Sequence, residues 1–94
     1  MQDELLLIML KQDLEILHSK NEAYLTQLIN VAKEMIAREG IILGTSYEDQ
    51  ALVTMYAAYL YRQRAKPDAM MPKMLRAGLN NKLFSQKATV VEDV

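Results

Sequence analysis

Apolar side chains recur at helical spacing in four stretches of the chain, each bounded by residues that start or stop helices. In the first, residues 3–16, Leu6, Met9, Leu10, Leu14 and Leu17 share one face, with Lys11, Gln12 and Glu15 opposite. His18-Ser19-Lys20-Asn21 breaks that pattern, and Ser19 followed by Glu22 fits a capping box, in which two side chains satisfy two orphan backbone N–H groups. A second helix over 20–39 places Leu25, Leu28, Ile29, Ala32, Met35 and Ile36 at i, i+3, i+4, i+7, i+10 and i+11, the cleanest amphipathic pattern in the chain. Gly40 follows in the position where positive φ is needed to end a helix.

Ile41-Ile42-Leu43-Gly44 reads as a short apolar connector, since no alternating segment exists to pair with it as a strand. Ser46 with Asp49 forms a second capping box, opening a third helix that ends near Arg64 or Ala65. Ala51, Leu52, Met55, Ala58, Tyr59 and Arg62 lie along one stripe and Val53, Tyr56 and Leu60 along the next. A helix apolar over more than half its circumference is either central or held between subunits. Pro67 terminates it by excluding the helical region from the residue before. Pro72 suits the first turn of a fourth helix reaching Gln86, with Met71, Leu75, Leu79 and Leu83 on its face. Gly78 falls inside that helix at about 1 kcal/mol relative to alanine, so either packing there is very close or the helix is interrupted. The tail, 88–94, lacks periodicity and is expected to be mobile. The prediction is an all-α fold: a single compact domain over 1–87 with a short N-terminal helix, two long central helices and a C-terminal one.

Ninety-four residues suffice for one small domain with a thin core, and 51% hydrophobic content with 24% charge belongs to a folded chain. With no cysteine, disulfides, thiolate chemistry and most structural zinc sites are excluded. The apolar run 5–10 is not read as a signal peptide or membrane span, because Asp3 and Glu4 precede it and Lys11 ends it.

Charge is strongly segregated. Residues 1–50 carry four basic groups against nine acids, a net of −5. Residues 51–87 carry seven basic groups against Asp68 alone, a net of +6, and Glu92 and Asp93 bring the whole chain to −1. Oppositely charged ends favour head-to-tail stacking of copies or an acidic partner for the basic half. Solvated helix faces would equally account for both runs.

The residues offer little to catalysis. His18 is the single histidine, so one chain cannot build a two-histidine metal site; Glu48 and Asp49 complement a helix N-terminus; Gly40 and Gly44 lack the spacing of a phosphate loop. No enzymatic function and no cofactor are expected. Tyr56, Tyr59 and Tyr61 crowd one helix and cannot all face one way, and Met70, Met71 and Met74 cluster before and within the fourth. Tyrosine, arginine and methionine suit interfaces, though each also serves as core edge or filler. DNA binding by the basic half is an alternative, weakened by cations spread around the helix and by the lack of an aromatic stacking platform.

Several segments together carry a family resemblance: Lys11-x-x-Leu14-x-Ile16; Tyr24-Leu25-x-x-Leu28-Ile29-x-x-Ala32-Lys33; Glu48-Asp49; Tyr56-Ala57-Ala58-Tyr59-Leu60-Tyr61-Arg62; and Met71-Pro72-x-Met74-Leu75-Arg76-x-x-Leu79-Asn80-Asn81-x-Leu83-Phe84-Ser85-Gln86-Lys87. Over residues 5–87 the chain resembles the head–tail connector (adaptor, or DNA-packaging) proteins of tailed bacteriophages, most specifically from Pro72 onward. The acidic loop common before the second helix is here Leu17-His18-Ser19-Lys20-Asn21. The resemblance implies a structural protein of the virion, present in the host bacterial cytoplasm during assembly. It implies a ring of about a dozen copies on the portal protein, joined below by a head-completion or tail protein. Packaged DNA would pass through the channel without sequence-specific binding, and no membrane is involved. The interface expected from this reading comprises Tyr61, Arg62, Met71, Arg76, Asn80, Asn81, Leu83 and Phe84, with Leu83 and Phe84 as apolar anchors and Arg76, Asn80 and Asn81 fixing register. The alternative is a small helical DNA-binding regulator.

Overall fold

The computed structural model describes residues 2–15 and 21–93, and the side chains of 4–15 and 21–87. Four helices follow in order, α1 (Gln2–Asp13), α2 (Glu22–Arg38), α3 (Tyr47–Ala65) and α4 (Lys73–Asp93). The expected all-α, four-helix domain is the observed one.

α1 ends as Leu14 N–H donates to Leu10 O at 3.0 Å and Glu15, at φ 59°, turns the backbone left-handed. α2 starts later than expected. Asn21 is its N-cap, at φ 69° and with no side-chain cap bond; Ser19, on which the expected capping box rests, lies outside the described residues, as do Leu17 and His18. Asparagine tolerates the left-handed region better than other non-glycine residues. Glu22 reaches across to α1 instead, where Lys11 Nζ donates to its carboxylate at 2.7 Å. At the other end of α2, Gly40 takes φ 97° and donates to Ala37 O at 3.0 Å, as its position demanded.

α3 is the central helix, in contact with α1, α2 and α4. It buries Leu52, Val53, Tyr56, Ala57 and Ala58, and also Asp49, Gln50 and Thr54. Leu6 and Leu10 from α1, Leu25, Ile29, Ala32 and Ile36 from α2, Ile41 from the connector, and Leu75 and Leu79 from α4 complete the core. Each fully buried leucine or isoleucine contributes about 1.5–3 kcal/mol, which makes this apolar set the main source of stability. Met35, expected on the buried face of α2, is 38% exposed: it sits one residue before Ile36, at the margin of a stripe that Ala32 and Ile36 already close.

Lys66 N–H donates to Arg62 O and Ala69 N–H to Lys66 O, so the turn around Pro67 and Asp68 ends α3. Pro72 precedes α4 rather than entering its first turn, and its carbonyl accepts from Arg76 N–H at 3.1 Å. α4 also outruns its expected end near Gln86 and stays helical to Asp93, taking in residues 88–93 of the expected tail. Gly78 reports close packing, not interruption: a Cβ built on it would lie 2.8 Å from Leu52 Cδ2. Among the described residues no helix is long and apolar enough to cross a membrane.

Candidate assembly interface

The inner side of α4 is fastened to the rest of the chain by polar groups as well as by Leu75 and Leu79. Arg76 makes a two-pronged pair with Glu39 at the end of α2, Nη1 to Oε1 at 2.9 Å and Nη2 to Oε2 at 3.2 Å. The Glu39 carboxylate raises the Arg76 pKa further above its ordinary value, and burial raises that of the neighbouring Tyr56 hydroxyl. Two turns on, Lys82 Nζ stands 2.9 Å from Asp49 Oδ1 and 3.5 Å from Glu48 Oε1, and the Asp49 pairing raises its pKa. One turn further, Gln86 closes a ring with the connector backbone: Ile42 N–H donates to Oε1 at 2.9 Å, and Nε2 donates to Ile42 O at 2.7 Å.

Asp49 is the hub beneath that helix. The Ser46–Asp49 cap forms only in part. Ser46 Oγ accepts from Asp49 N–H at 3.1 Å, but the carboxylate turns to accept from Gly44 N–H at 2.6 Å, pinning the connector. Burial alone would raise the Asp49 pKa; Lys82, Gly44 and Ser46 together hold it below its ordinary value. A cavity of about 170 Å³ adjoins this hub, between Leu6, Lys33, Leu43 and Gln50. Gln50 Nε2 donates to Thr45 O at 3.1 Å, while its Oε1 has no hydrogen-bond partner among the described residues. Among those residues no three His, Cys, Asp or Glu side chains are grouped to hold a metal ion.

The outer side of α4 is different. Met74 is 76% exposed and Phe84 is 68% exposed, and Ala77 and Asn81 lie between them at spacings of three, four and three residues. That spacing keeps all four on one face of a helix. Exposed Met70 stands before the helix, and Ile42 and Tyr47 are exposed on the connector side.

The eight residues expected at an interface therefore separate into three groups. Asn80, Asn81 and Phe84 face solvent on α4. Met71, Arg76 and Leu83 are half-buried against their own chain, Arg76 on Glu39 and the other two on the core. Tyr61 and Arg62 sit near the C-terminal end of α3, toward α1 and α2: the Tyr61 ring lies 6.4 Å from that of Tyr24, under which Arg64 stacks at 4.9 Å, and Arg62 Nη2 reaches Asp13 Oδ2 at 3.3 Å. Met74 was missing from the expected set, although its three-four-three spacing to Phe84 is readable in the sequence. The role of Asp49 beneath Lys82 was not, because the two are 33 residues apart.

Fold and surface define a small all-α, four-helix protein with an exposed apolar stripe on its last helix. Comparison of the chain with family models, curated proteins and solved structures finds no match.

Proposed function

We propose that this protein is a structural head–tail connector of a tailed phage or prophage, acting by binding and without turnover. In this reading copies of the chain form a ring on the portal, between the DNA-filled head and a downstream head-completion or tail protein. The resemblance of residues 5–87, above all from Pro72 to Lys87, supports that family. The observation that carries an assembly role is the Met74–Phe84 stripe, two large apolar side chains held outward on a helix that turns Leu75, Arg76, Leu79, Lys82 and Gln86 to its own chain. Exposed apolar groups arranged contiguously mark association surfaces more often than scattered ones do.

The test is molar mass by light scattering after size exclusion, at high protein concentration, with and without a candidate portal protein. A ring-sized species, alone or on the portal, is the expected result. Phe84→Ala should leave the thermal midpoint of the isolated chain within about 2 °C of wild type while impairing that assembly, because a residue this exposed contributes little to folding. Unfolding of the Phe84→Ala chain would instead make Phe84 a core residue.

The excess of positive charge over residues 51–87 favours a second reading, a DNA-binding regulator. Two of its cations, Arg76 and Lys82, are already paired with Glu39 and with Asp49 and Glu48. Salt-sensitive binding to free duplex DNA, with no portal binding, would favour the regulator.

A further inference from the structure

A second exposed feature, partly apolar, lies where α1 meets α3. An open cleft of about 420 Å³ runs between α1 and α3, with Met9, Gln12 and Asp13 on one wall and Ala51, Thr54 and Met55 on the other. Leu5 and Ile8, 40% and 53% exposed, continue its α1 wall outward. None of the residues lining it belongs to α4, which meets α3 at Leu52 and Asp49 instead.

We infer that this cleft is the seat for the Met74–Phe84 stripe of a second copy of the chain, an inference that rests on the connector reading above. Three observations select that occupant. The stripe is helical and narrow, as a helix entering a groove between two others must be. Its span of ten residues is about 15 Å at 1.5 Å per residue, close to the length of α1 from Glu4 to Asp13. The charges are opposite in sign: α4 carries Lys73, Arg76, Lys82 and Lys87 and no acid before Glu92, whereas the exposed ionisable groups among the described side chains of α1 and its turn are Glu4, Asp13 and Glu15. Lys11, the cation of α1, is drawn aside to Glu22, and Arg62 meets Asp13 at one end of the cleft.

Because the stripe and the cleft are different surfaces, a contact made in one direction pairs unlike patches and is heterologous. Each copy that donates α4 still offers its own cleft, so the contact propagates and either closes as a ring or grows open-ended. A symmetric dimer would need either two stripes to meet, bringing like-charged helices together, or two copies to seat their stripes reciprocally, which molar mass would read as a dimer and which would remove the ring.

The absence of native cysteine makes the test direct. Full-length chains carrying Asn81→Cys or Gln12→Cys, both exposed positions, are mixed in equal amounts and oxidised. A disulfide forms only where Cα atoms come within about 7 Å, so the product reports contact. The expected product is the mixed disulfide, well above the roughly one half that random pairing would give, and adding Phe84→Ala to the Asn81→Cys chain should bring it back to that level. A random distribution, or predominance of the Asn81→Cys homodimer, overturns the inference. Molar mass of the unoxidised chain on the portal separates this from the wider reading: a ring without the mixed disulfide leaves the connector standing and the seat wrong. Mixed disulfide with mass that grows without limit keeps the seat and removes the ring.

Discussion

A single carboxylate, Asp49, ties three segments together, and its environment fixes what it does. Its side chain is 4% exposed, accepts from Gly44 N–H, and faces Lys82 at 2.9 Å. Its pKa in the folded chain lies below the ordinary carboxylate value, despite a burial cost that acts in the opposite direction. A depressed folded pKa means that Asp49 contributes stability above its unfolded pKa of about 3.9, and that this contribution disappears as pH falls through the lower folded value. Urea unfolding measured from pH 7 downward should therefore show stability falling below about pH 4, and Asp49→Asn should flatten that part of the profile. At pH 7 the same substitution should cost about 2 kcal/mol, because the amide gives up the charge that Lys82 and the Gly44 N–H were facing. Parallel profiles for the two chains would show that Asp49 has no such role. Sequence pattern identified Asp49 as a first-turn acid of α3, which it is. Its burial depends on a lysine brought over it by α4, and local spacing cannot express that.

At the scale of elements, helices were legible because each has an apolar face at 3.6-residue spacing, and three of their ends carry unambiguous chemistry in Gly40, Ser46 and Pro67. The ends that departed from expectation were those decided by geometry elsewhere. Asn21 caps α2 because the chain turns there through positive φ, and α4 persists past Gln86 with no glycine or proline to stop it. The face on which α4 docks was legible in Leu75, Leu79 and Gly78, but the partners it meets were not. Docking rests on Gly78 meeting Leu52, on Arg76 meeting Glu39, and on Gln86 completing the backbone of Ile42. Gly78→Ala places opposing terms on one site, a helix-propensity gain of about 1 kcal/mol against a Cβ that must displace the Leu52 methyl. Those nearly cancel, whereas Gly78→Val adds two further methyl groups and should destabilise the chain by about 2 kcal/mol in chemical denaturation. If the valine chain matched the alanine chain, α4 would be free to move off α3, and the close packing would not matter. Arg76→Lys should lose most of the contribution of its pair, about 1 kcal/mol at this half-exposed site, because an ammonium cannot reproduce the two parallel bonds to Glu39.

The whole molecule sets an acidic α1–α2 side and a basic α4 side across a central helix. Its radius of gyration of 14.0 Å exceeds the roughly 12.4 Å of a compact chain of this length, and α4 is the longest of the four helices. Segregation of charge matters for association more than for folding, since exposed pairs within the chain contribute little. Two kinds of force would act in the proposed seat, and salt distinguishes them. Screening shortens the reach of charge from about 10 Å at 0.1 M salt to about 3 Å at 1 M, while burial of Met74 and Phe84 is not weakened by it. Reversing both exposed lysines of α4, Lys73→Glu with Lys87→Glu, should lower self-association or portal assembly about fivefold at low salt and have little effect near 1 M. Phe84→Ala should impair assembly at both salt concentrations. Equal losses from the two variants at every salt concentration would show that charge segregation does not guide assembly, and that the apolar stripe alone carries it.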